Sequence, residues 1–363
     1  MKYIDEFRKS RVVKRVSQKI FEIMPDKKLS IMEVCGTHTQ SFHRFSLNTL
    51  IPKNLRLIAG PGCPVCVSDQ DYIDRAIQLS KEPDTIIVSF GDMLRVPGTG
   101  TSLEKQRAGG SDVRIVYSPW DSLKIAKDNP GKRVVFLAVG FETTIPTLAL
   151  TLLAAKKEKL KNFFFFCALK VIPSAMEALI SDRALKIDGF LCPGHVSTII
   201  GTQAYEFIAK KYKIACCVAG FEPLDILEGI HSLIWQIVNK KPKVGNQYLR
   251  VVKRHGNPKA KAIINKVFRT SSAVWRGIGE IPGTGMKLRD EFARFDIEKI
   301  MPLEIKHKKE DKKIKRCRCG DVLKGIIQPF DCPLFRKACS PLNPYGPCMV
   351  SSEGTCNAYY RYK

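Results

Sequence analysis

Short apolar runs recur along the first two thirds of the chain, separated by polar stretches of helical length. Eight of these runs are rich in β-branched or aromatic residues and lack alternation between apolar and polar positions, which is typical of parallel strands buried on both faces. The predicted strands are 30–34, 55–59, 85–90, 113–117, 134–140, 163–169, 188–192 and 214–220. The pattern therefore predicts an α/β fold in which four strands, and then four more, form two similar parallel-sheet lobes.

The character of the chain changes after residue 240. Residues 241–316 are predicted to be mainly helical and are strongly basic, and the tail beyond residue 316 is rich in Pro, Gly and Cys. This tail has too little apolar periodicity to build a core of its own, so we expect a metal centre to organise it. The predicted domains are an N-terminal helical extension at 1–29, a first lobe carrying the candidate thiols at 30–118, a second lobe at 119–240 and a helical and loop-rich C-terminal domain at 241–363.

The bulk composition fits a cytoplasmic protein. The 363 residues, 44% of them hydrophobic, suffice for two or three domains with apolar cores. The sequence is charged from Lys2 onward, unlike a signal peptide, and no stretch is long and uncharged enough to span a bilayer. We therefore expect a cytoplasmic protein that is monomeric when free and does not bind membranes. In a reducing compartment, thirteen cysteines are expected to be metal ligands or reactive thiols.

The net charge of +25 does not by itself indicate nucleic-acid binding. Lys and Arg are spread along the chain, and the one dense run, "KHKKEDKKIKR" at 306–316, contains acids and no aromatic residues. A nucleic-acid surface usually combines a basic patch with aromatics or a known binding module. We expect instead a solvated surface, or a face for acidic protein partners, and no binding of nucleic acid.

Unusual residues follow the first two predicted strands. "CGTHTQ" begins with Cys35 and contains His38, and "GPGCPVC" contains Cys63 and Cys66. Because the carboxyl ends of neighbouring parallel strands meet at one crevice, these groups are expected to lie together. A helix that starts just after Cys35 is expected to lower the pKa of its thiol. The C-P-V-C loop by itself is compatible with a structural zinc site, a redox disulfide or a thiolate ligand for another metal.

The tail carries a second group of cysteines. The last four thiols are separated by 6, 8 and 7 residues, and they are Cys332, Cys339, Cys348 and Cys356. Structural zinc sites usually contain close C-x₂₋₄-C pairs, which these gaps lack, so the spacing favours a [4Fe–4S] cluster. Cys317 and Cys319 are alternative ligands.

Three further polar residues follow later strands or lie in the tail. His195 in "CPGHVST" is expected to face the crevice, and Glu142 in "GFETT" and Glu353 in "SSEGTC" are carboxylates at turns. The two carboxylates are equally compatible with helix capping and with function. His38 is expected to orient the ligands of the site or to carry protons.

The remaining strand cysteines have a simpler interpretation. Cys167, Cys216 and Cys217 lie within apolar runs and are expected to pack in the core as small hydrophobic residues. Cys192 precedes Pro-Gly-His at a strand end, where core packing and a functional role are both open.

Six motifs together identify a family resemblance. In chain order they are "MEVCGTHT", "GPGCPVC", "FGDMLRVPG", "AVGFETT", "CPGHVSTIIG" and "CMVSSEGTCNAYYRY". From about residue 30 to the C-terminus the chain resembles the HypD family of hydrogenase maturation proteins. The motifs are long and unusual, whereas the first 28 residues and the basic stretch at 306–316 are not specific.

The resemblance implies a function and assigns the thiols. It implies a fold of two α/β lobes with a C-terminal cluster domain. It also implies that the protein helps to build the Fe(CN)2CO unit of [NiFe]-hydrogenases, together with a HypC-type small chaperone and a HypE-type cyanide donor. It further implies that Cys35, Cys63 and Cys66 act in the crevice, holding iron or cycling between dithiol and disulfide. The same resemblance makes the tail thiols Cys332, Cys339, Cys348 and Cys356 the ligands of the [4Fe–4S] cluster.

The leading hypothesis is therefore an assembly scaffold with redox activity rather than a stand-alone turnover enzyme. An alternative is a cluster-dependent thiol–disulfide oxidoreductase acting on a partner protein, in which Cys35 and His38 would have no role. A third, an iron–sulfur protein that binds nucleic acid, would rest on the net charge alone.

Overall fold

The computed structural model describes residues 4–182, 185–302 and 316–363, so the basic run at 306–316 lies outside the described residues except for its last residue. All eight predicted strands are confirmed within two residues of their predicted bounds. They are β1 Leu29–Glu33, β2 Leu55–Ala59, β3 Thr85–Ser89, β4 Val113–Ile115, β5 Arg133–Gly140, β6 Phe163–Lys170, β7 Gly189–Pro193 and β8 Ala215–Ala219. Three further strands follow, namely β9 Val244–Asn246, β10 Phe268–Trp275 and β11 Gly279–Leu288.

The strands form two sheets. The first sheet has the order β2-β1-β7-β8-β9 and is parallel throughout. The second sheet has the order β10-β11-β6-β5-β3-β4, parallel from β6 to β4 and completed by an antiparallel hairpin of β10 and β11. The prediction of an α/β protein with parallel-sheet lobes is confirmed.

The predicted grouping of four consecutive strands in each lobe is wrong. The chain leaves the first sheet after β2, forms the parallel part of the second sheet with β3 to β6, and returns for β7 and β8. A strand buried on both faces shows only an apolar run, which carries no information about its neighbours. Because a helical crossover can place the next parallel strand in the same sheet or in the other sheet, the sequence pattern does not decide between the predicted and the observed grouping.

Helices connect the strands and cover the sheets. The α-helices are α1 Ser10–Ile23, α2 Gly36–Arg44, α3 Gln70–Leu79, α4 Gly91–Arg95, α5 Leu103–Ala108, α6 Asp121–Asp128, α7 Ile145–Lys157, α8 Ile172–Ser181, α9 Gly194–Ile200, α10 Glu206–Lys211, α11 Pro223–Val238, α12 Pro258–Val267, α13 Ile297–Ile300, α14 Cys319–Leu323 and α15 Thr355–Tyr362. Short 3₁₀ turns lie at Asp5–Arg8, Leu47–Leu50, Thr202–Tyr205, Asp290–Phe295, Pro329–Asp331 and Pro347–Met349. None of the helices within the described ranges combines the length and the apolar character needed to cross a bilayer.

Both faces of each sheet are buried. In the second sheet, Phe163 and Phe165 of β6 pack with α6, α7 and α12, whereas Phe164 and Phe166 pack with α3, α4 and α5 on the opposite face. Successive side chains of a strand point to opposite faces, so four consecutive phenylalanines supply two cores. In the first sheet, α1 and α11 cover one face. The C-terminal tail and α8 cover the other face, where they share one core with the C-x-x-C loop.

The basic region that was predicted to be helical is only partly so. Residues 258–267 form α12, but the hairpin of β10 and β11 follows directly. The β10 sequence "FRTSSAVW" contains β-branched and aromatic residues, and Gly277 and Gly279 provide the positive φ angles of its turn. The hairpin was therefore predictable from β propensity and turn residues, which the basic composition obscured.

Candidate functional site

A cavity of about 300 Å³ lies at the carboxyl ends of strands from both sheets. Its wall comes from the segments that follow β1, β2, β5 and β7, together with part of the C-terminal tail. The predicted site residues that line it are Cys35, His195 and Glu353. Hydroxyl groups also line the cavity, from Thr37, Thr143, Thr144 and Thr198.

Cys35 sits where β1 passes into α2. Its backbone N–H donates to Glu33 Oε2 at 3.3 Å, and the N–H of Gly36 donates to the carbonyl of Gly62 at 3.1 Å. The second bond joins the loops that follow β1 and β2, which pair in parallel. The predicted meeting of the Cys35 loop and the GPGCPVC loop is thus confirmed.

The expected lowering of the Cys35 pKa is wrong. Burial and then the nearby Glu353 carboxylate raise the pKa of the Cys35 thiol to about 12. A helix N-terminus favours the thiolate only modestly, because its field acts within one turn. Loss of solvent at a fully buried sulfur outweighs that effect, so free Cys35 is a neutral thiol.

Glu33 is a site residue that the sequence argument missed. It is almost fully buried at the end of β1, and besides the Cys35 N–H it accepts a hydrogen bond from the Thr39 hydroxyl. Burial raises the pKa of this carboxyl well above its ordinary value. Glu33 therefore fixes the Cys35 turn against α2. A charged residue inside the apolar run "SIMEV" was the available signal.

Cys63 and Cys66 lie beneath the cavity rather than on its wall. The wall at this point is made by Gly62 and Pro64, whereas both thiols are buried. The Cys66 N–H donates to Cys63 Sγ at 3.4 Å, and Cys66 Sγ donates to the carbonyl of Pro347 at 3.8 Å. The C-x-x-C loop thus contacts both the Cys35 turn and the tail.

The two thiols of the C-x-x-C loop differ electrostatically. Burial and the hydrogen bond with Cys66 raise the pKa of Cys63 well above its ordinary value. Burial opposes ionisation of Cys66 too, but hydrogen bonds with the Cys348 and Cys63 thiols lower the pKa of Cys66 to about 6. Cys66 is therefore the member of the pair that carries thiolate character, as the attacking sulfur of a redox pair does.

Six thiols of the tail line one small enclosed space. Its wall consists of Cys317, Cys319, Cys332, Leu334, Phe335, Cys339, Gly346, Cys348, Met349 and Cys356. A β-carbon on Gly346 would lie 2.6 Å from Cys317 Sγ, so glycine leaves room there for sulfur. The backbone N–H of Tyr345 donates to Cys339 Sγ at 3.4 Å, a kind of bond that tunes thiolate ligands of iron–sulfur clusters.

The residues of this space fit a [4Fe–4S] cluster. They offer a thiol-rich set in an otherwise apolar wall, which is the donor set that such clusters require. No three His, Cys, Asp or Glu side chains in the described part of the chain are arranged to hold a single metal ion. Cys35, Cys63 and Cys66 accordingly do not form a ready three-thiol site.

A series of thiols that shift one another's pKa joins the two cysteine groups. We call it the thiol series, and in order it consists of Cys63, Cys66, Cys348, Cys319 and Cys317. Cys348 occupies the centre, because its thiol also contacts Cys356. Hydrogen bonds with Cys317 and Cys348 lower the pKa of Cys319 well below its ordinary value.

His38 and Glu142 lie outside the cavity lining. His38 Nε2 donates to the carbonyls of Ala219 at 3.2 Å and Gly220 at 2.9 Å, and burial lowers the pKa of His38 to about 4. Glu142 Oε1 accepts the N–H of Ile172 at 2.9 Å, at the first residue of α8. His38 is therefore a neutral imidazole that holds β8 against α2, and Glu142 stabilises a helix start.

The other predicted polar groups keep contact with the cavity. Glu353 accepts a hydrogen bond from the Thr37 hydroxyl at 2.6 Å, which ties the tail to the first turn of α2. His195 is exposed, and its ring lies 4.0 Å from that of Phe221. Burial lowers the pKa of His195, while the Glu353 carboxylate acts in the opposite direction.

The strand cysteines are mostly core residues. Cys192, Cys216 and Cys217 are fully buried, as predicted for the last two, and Cys192 Sγ donates to the carbonyl of Phe190 at 3.8 Å. Cys167 is half-buried, packs against the core of the second sheet as expected, and also lines a surface pocket beside Lys170.

Comparison with known proteins agrees with the motifs. A family model named HypD, described as the hydrogenase formation hypA family, matches residues 11–363. The chain is 45% identical over 370 residues to the hydrogenase maturation factor HypD of Azotobacter vinelandii, covering 100% of this chain and 97% of that protein. It is 43% identical over 370 residues to the hydrogenase maturation factor HypD of Escherichia coli (strain K12), with 100% and 98% covered.

Proposed function

The chain belongs to the HypD family of hydrogenase maturation factors, and from this we propose that it is a redox-active scaffold for assembly of the Fe(CN)2CO unit of [NiFe]-hydrogenases. Its partners would be a HypC-type small chaperone and a HypE-type cyanide donor. The observation that carries the proposal is the thiol series, which connects the thiol-lined space of the tail with the loop beneath the Cys35 cavity.

Cys35 is the thiol best placed to hold the iron cargo. It lines the cavity, whereas Cys63 and Cys66 lie beneath it. Soft thiolates suit low-spin iron that carries cyanide and carbon monoxide. Because burial keeps Cys35 protonated, iron must displace this proton when it binds, and binding should strengthen as pH rises. Thr37, held by Glu353, fixes the turn during this exchange.

Cys63 and Cys66 are proposed as the two-electron donor. Cleavage of the sulfur–carbon bond of a thiocyanate group, with cyanide passing to iron, leaves the donor sulfur two electrons short of a thiol. Oxidation of the Cys63 thiol and the Cys66 thiolate to a disulfide supplies these two electrons and releases one proton, which completes the donor thiol. The thiolate character of Cys66 suits this exchange.

We assign two roles to the tail thiols: four of them are cluster ligands, and the other two form a redox pair that we call the relay pair. Cys332, Cys339 and Cys356 are retained as cluster ligands. Cys317, which lines the same space, is assigned as the fourth ligand, because Cys66 Sγ contacts the carbonyl of Pro347 and so places the neighbouring Cys348 beside the C-x-x-C loop. Cys348 and Cys319 then form the pair that returns Cys63 and Cys66 to the reduced state by thiol–disulfide exchange. The cluster, held by these four ligands, would supply electrons one at a time.

Two matched substitutions test this division. Cys317→Ser should lose the cluster iron and the brown colour of protein purified without oxygen. Cys348→Ser should keep both, but should leave the Cys63–Cys66 disulfide unreduced. The measurements are iron analysis, and mass spectrometry after alkylation of free thiols. Loss of iron in Cys348→Ser with retention in Cys317→Ser would contradict the relay and restore Cys348 as a ligand.

The oxidoreductase alternative makes a different prediction for Cys35. An enzyme that only passes electrons to a partner disulfide needs the thiol series but not Cys35. The position of Cys35 on the cavity wall, supported by Glu33 and faced by Glu353, favours the scaffold. Retained electron transfer together with lost cofactor assembly in Cys35→Ala separates the two functions.

A further inference from the structure

A second cavity, of about 500 Å³, lies where the end of β6 meets α3 and the β10–β11 hairpin. We call it the Lys170 cavity, and its polar wall includes Lys170, Asp69, Arg75, Ser271, Asp296 and Glu298. Lys170 is the last residue of β6, and only 3% of it is exposed. An uncompensated buried charge is strongly unfavourable, so an anion is expected beside this ammonium group.

No described residue supplies that anion. Lys170 Nζ forms no ion pair and donates no hydrogen bond within the described ranges, and it lies as far as 5.9 Å from the ring centre of Trp275. Because Nζ is nevertheless not fully enclosed, it faces the cavity. Burial lowers the pKa of Lys170 from 10.5 to about 8, so the ammonium form predominates at pH 7.

The carboxylates around the cavity have other partners or do not reach Lys170. Glu298 Oε1 accepts a hydrogen bond from Arg75, and Asp296 Oδ1 accepts the N–H of Glu298 at 3.2 Å. Asp69 is the N-cap residue of α3 and makes no ion pair with Lys170. The charged groups on the exposed rim are Glu280 and Lys287. A ligand with one negative charge therefore suits the cavity better than a dianion, which these carboxylates would repel.

The strand pairing leaves room for a ligand beside Lys170. Lys170, Gly285 and Ser271 form one row across β6, β11 and β10. Paired residues carry their side chains on the same face of a sheet, so the glycine leaves a space between the ammonium and the serine hydroxyl. A β-carbon on Gly285 would lie 2.7 Å from Ser271 Oγ. The register of β10 also shifts between Ser271 and Ala273, and such bulges are common next to active sites.

We propose that the Lys170 cavity binds a small organic monocarboxylate, with the Lys170 ammonium as its counter-charge and the Ser271 hydroxyl as a second donor. The two oxygens of a carboxylate can accept hydrogen bonds from both groups. Apolar side chains of the wall would cover the organic part of the ligand, and they belong to Ala168, Val274 and Met286. This cavity is separate from the one that Cys35 lines, so the site does not depend on the proposed function.

The experiment measures the affinity of full-length protein for benzoate and for acetate. Isothermal titration calorimetry at pH 7 and constant ionic strength gives the Kd, and benzamide is the uncharged analogue of benzoate. Benzoate should bind about tenfold or more tightly than benzamide, and Lys170→Met should weaken benzoate binding by about tenfold or more. Lys243→Met is the matched control and should bind like the wild type. Lys243 Nζ also lies over a tryptophan ring, 5.7 Å from the centre of Trp235, but Lys243 does not line the cavity.

The stability of the ligand-free protein gives a second readout. Because the Lys170 charge is uncompensated, Lys170→Met should unfold at the same or a higher urea concentration than the wild type. A structural ion pair between Lys170 and Asp69 would predict a lower midpoint. Acetylation of wild-type lysines, followed by mass spectrometry, needs no substitution, and benzoate should slow the reaction at Lys170 but not at Lys243.

The possible outcomes decide the proposal. A wild type that binds neither benzoate nor acetate, equal affinity for benzoate and benzamide, or unchanged benzoate affinity in Lys170→Met would each overturn it. So would tighter binding of phenyl phosphate than of benzoate, or an acetylation rate of Lys170 that benzoate does not change. A Lys170→Met protein that is less stable than the wild type, or that does not fold as judged by circular dichroism, would show that Lys170 is a structural residue and would also contradict the proposal.

Discussion

Glu142 should make the stability of the protein depend on pH. Its carboxyl is buried, Oε1 accepts the Ile172 N–H, and Oε2 has no hydrogen-bond partner among the described residues. Burial raises the pKa of Glu142 from 4.5 to about 7. Because a shift of one pKa unit corresponds to about 1.4 kcal/mol, ionisation of this group costs the folded state about 3 kcal/mol.

The sign follows from proton binding. The folded protein holds the Glu142 proton more tightly than the unfolded chain does, so the contribution of this group to stability is fully present below pH 4.5 and is lost as pH rises through about 7. Between about pH 5.5 and 8.5 the free energy of unfolding of the wild type should fall by about 2 kcal/mol, a loss that a variant without this titrating group does not show.

Glu142→Gln is the appropriate perturbation. Its amide oxygen can still accept the hydrogen bond from the Ile172 N–H. Any loss of stability that does not depend on pH cancels when the slopes of unfolding free energy against pH are compared. Urea denaturation at several pH values gives the slopes, and Glu158→Gln on the protein surface controls for loss of one carboxylate. An infrared titration should also find a protonated carboxyl band that is absent from Glu142→Gln. Equal slopes in wild type and Glu142→Gln would refute the reasoning.

Two further predictions concern the C-x-x-C loop and the surface charge. Cys63 and Cys66 should form a disulfide in air that reductant reverses, because a C-x-x-C loop brings two sulfurs within bonding reach. Mass spectrometry of alkylated protein checks this, and two thiols that stay free after mild oxidation would leave only metal ligation. The net charge of +25 should serve protein partners, so affinity for a HypC-type or HypE-type partner should fall as salt shortens the Debye length below about 8 Å. Tight and steeply salt-dependent binding of DNA or RNA in a filter assay would contradict this, because phosphate contacts produce such a slope.

The sequence predicted the strands well because their composition is extreme. "VVFLAVG" and "FFFFCAL" admit little besides buried strands, and both were located within a residue or two. Which strands pair was not predictable, since β7 joins β1 only through contacts between residues far apart in the chain. The hairpin at 268–288 was missed because basic residues around it suggested a helical region.

The sequence predicted the site residues that have unusual chemistry, but it did not predict the properties of the site that depend on burial. Cys35 and His195 line one cavity, as expected from motifs at strand ends, and Glu353 of the tail joins them there. The raised pKa of Cys35 was not foreseen, because desolvation depends on how the tail closes over the turn. The central contact of Cys348 with Cys66 joins residues 282 positions apart, and no local pattern reports it.

Infrared spectroscopy of the Cys35→Ala variant tests the scaffold most directly. The variant and the wild type are each purified without oxygen, with the HypC-type partner, from cells that mature a [NiFe]-hydrogenase. The wild type should show cyanide and carbonyl stretching bands. Cys35→Ala should keep its fold and its brown colour but lose these bands and fail to support maturation. Full bands and full maturation with Cys35→Ala would contradict the assignment of Cys35 as the residue that holds the iron.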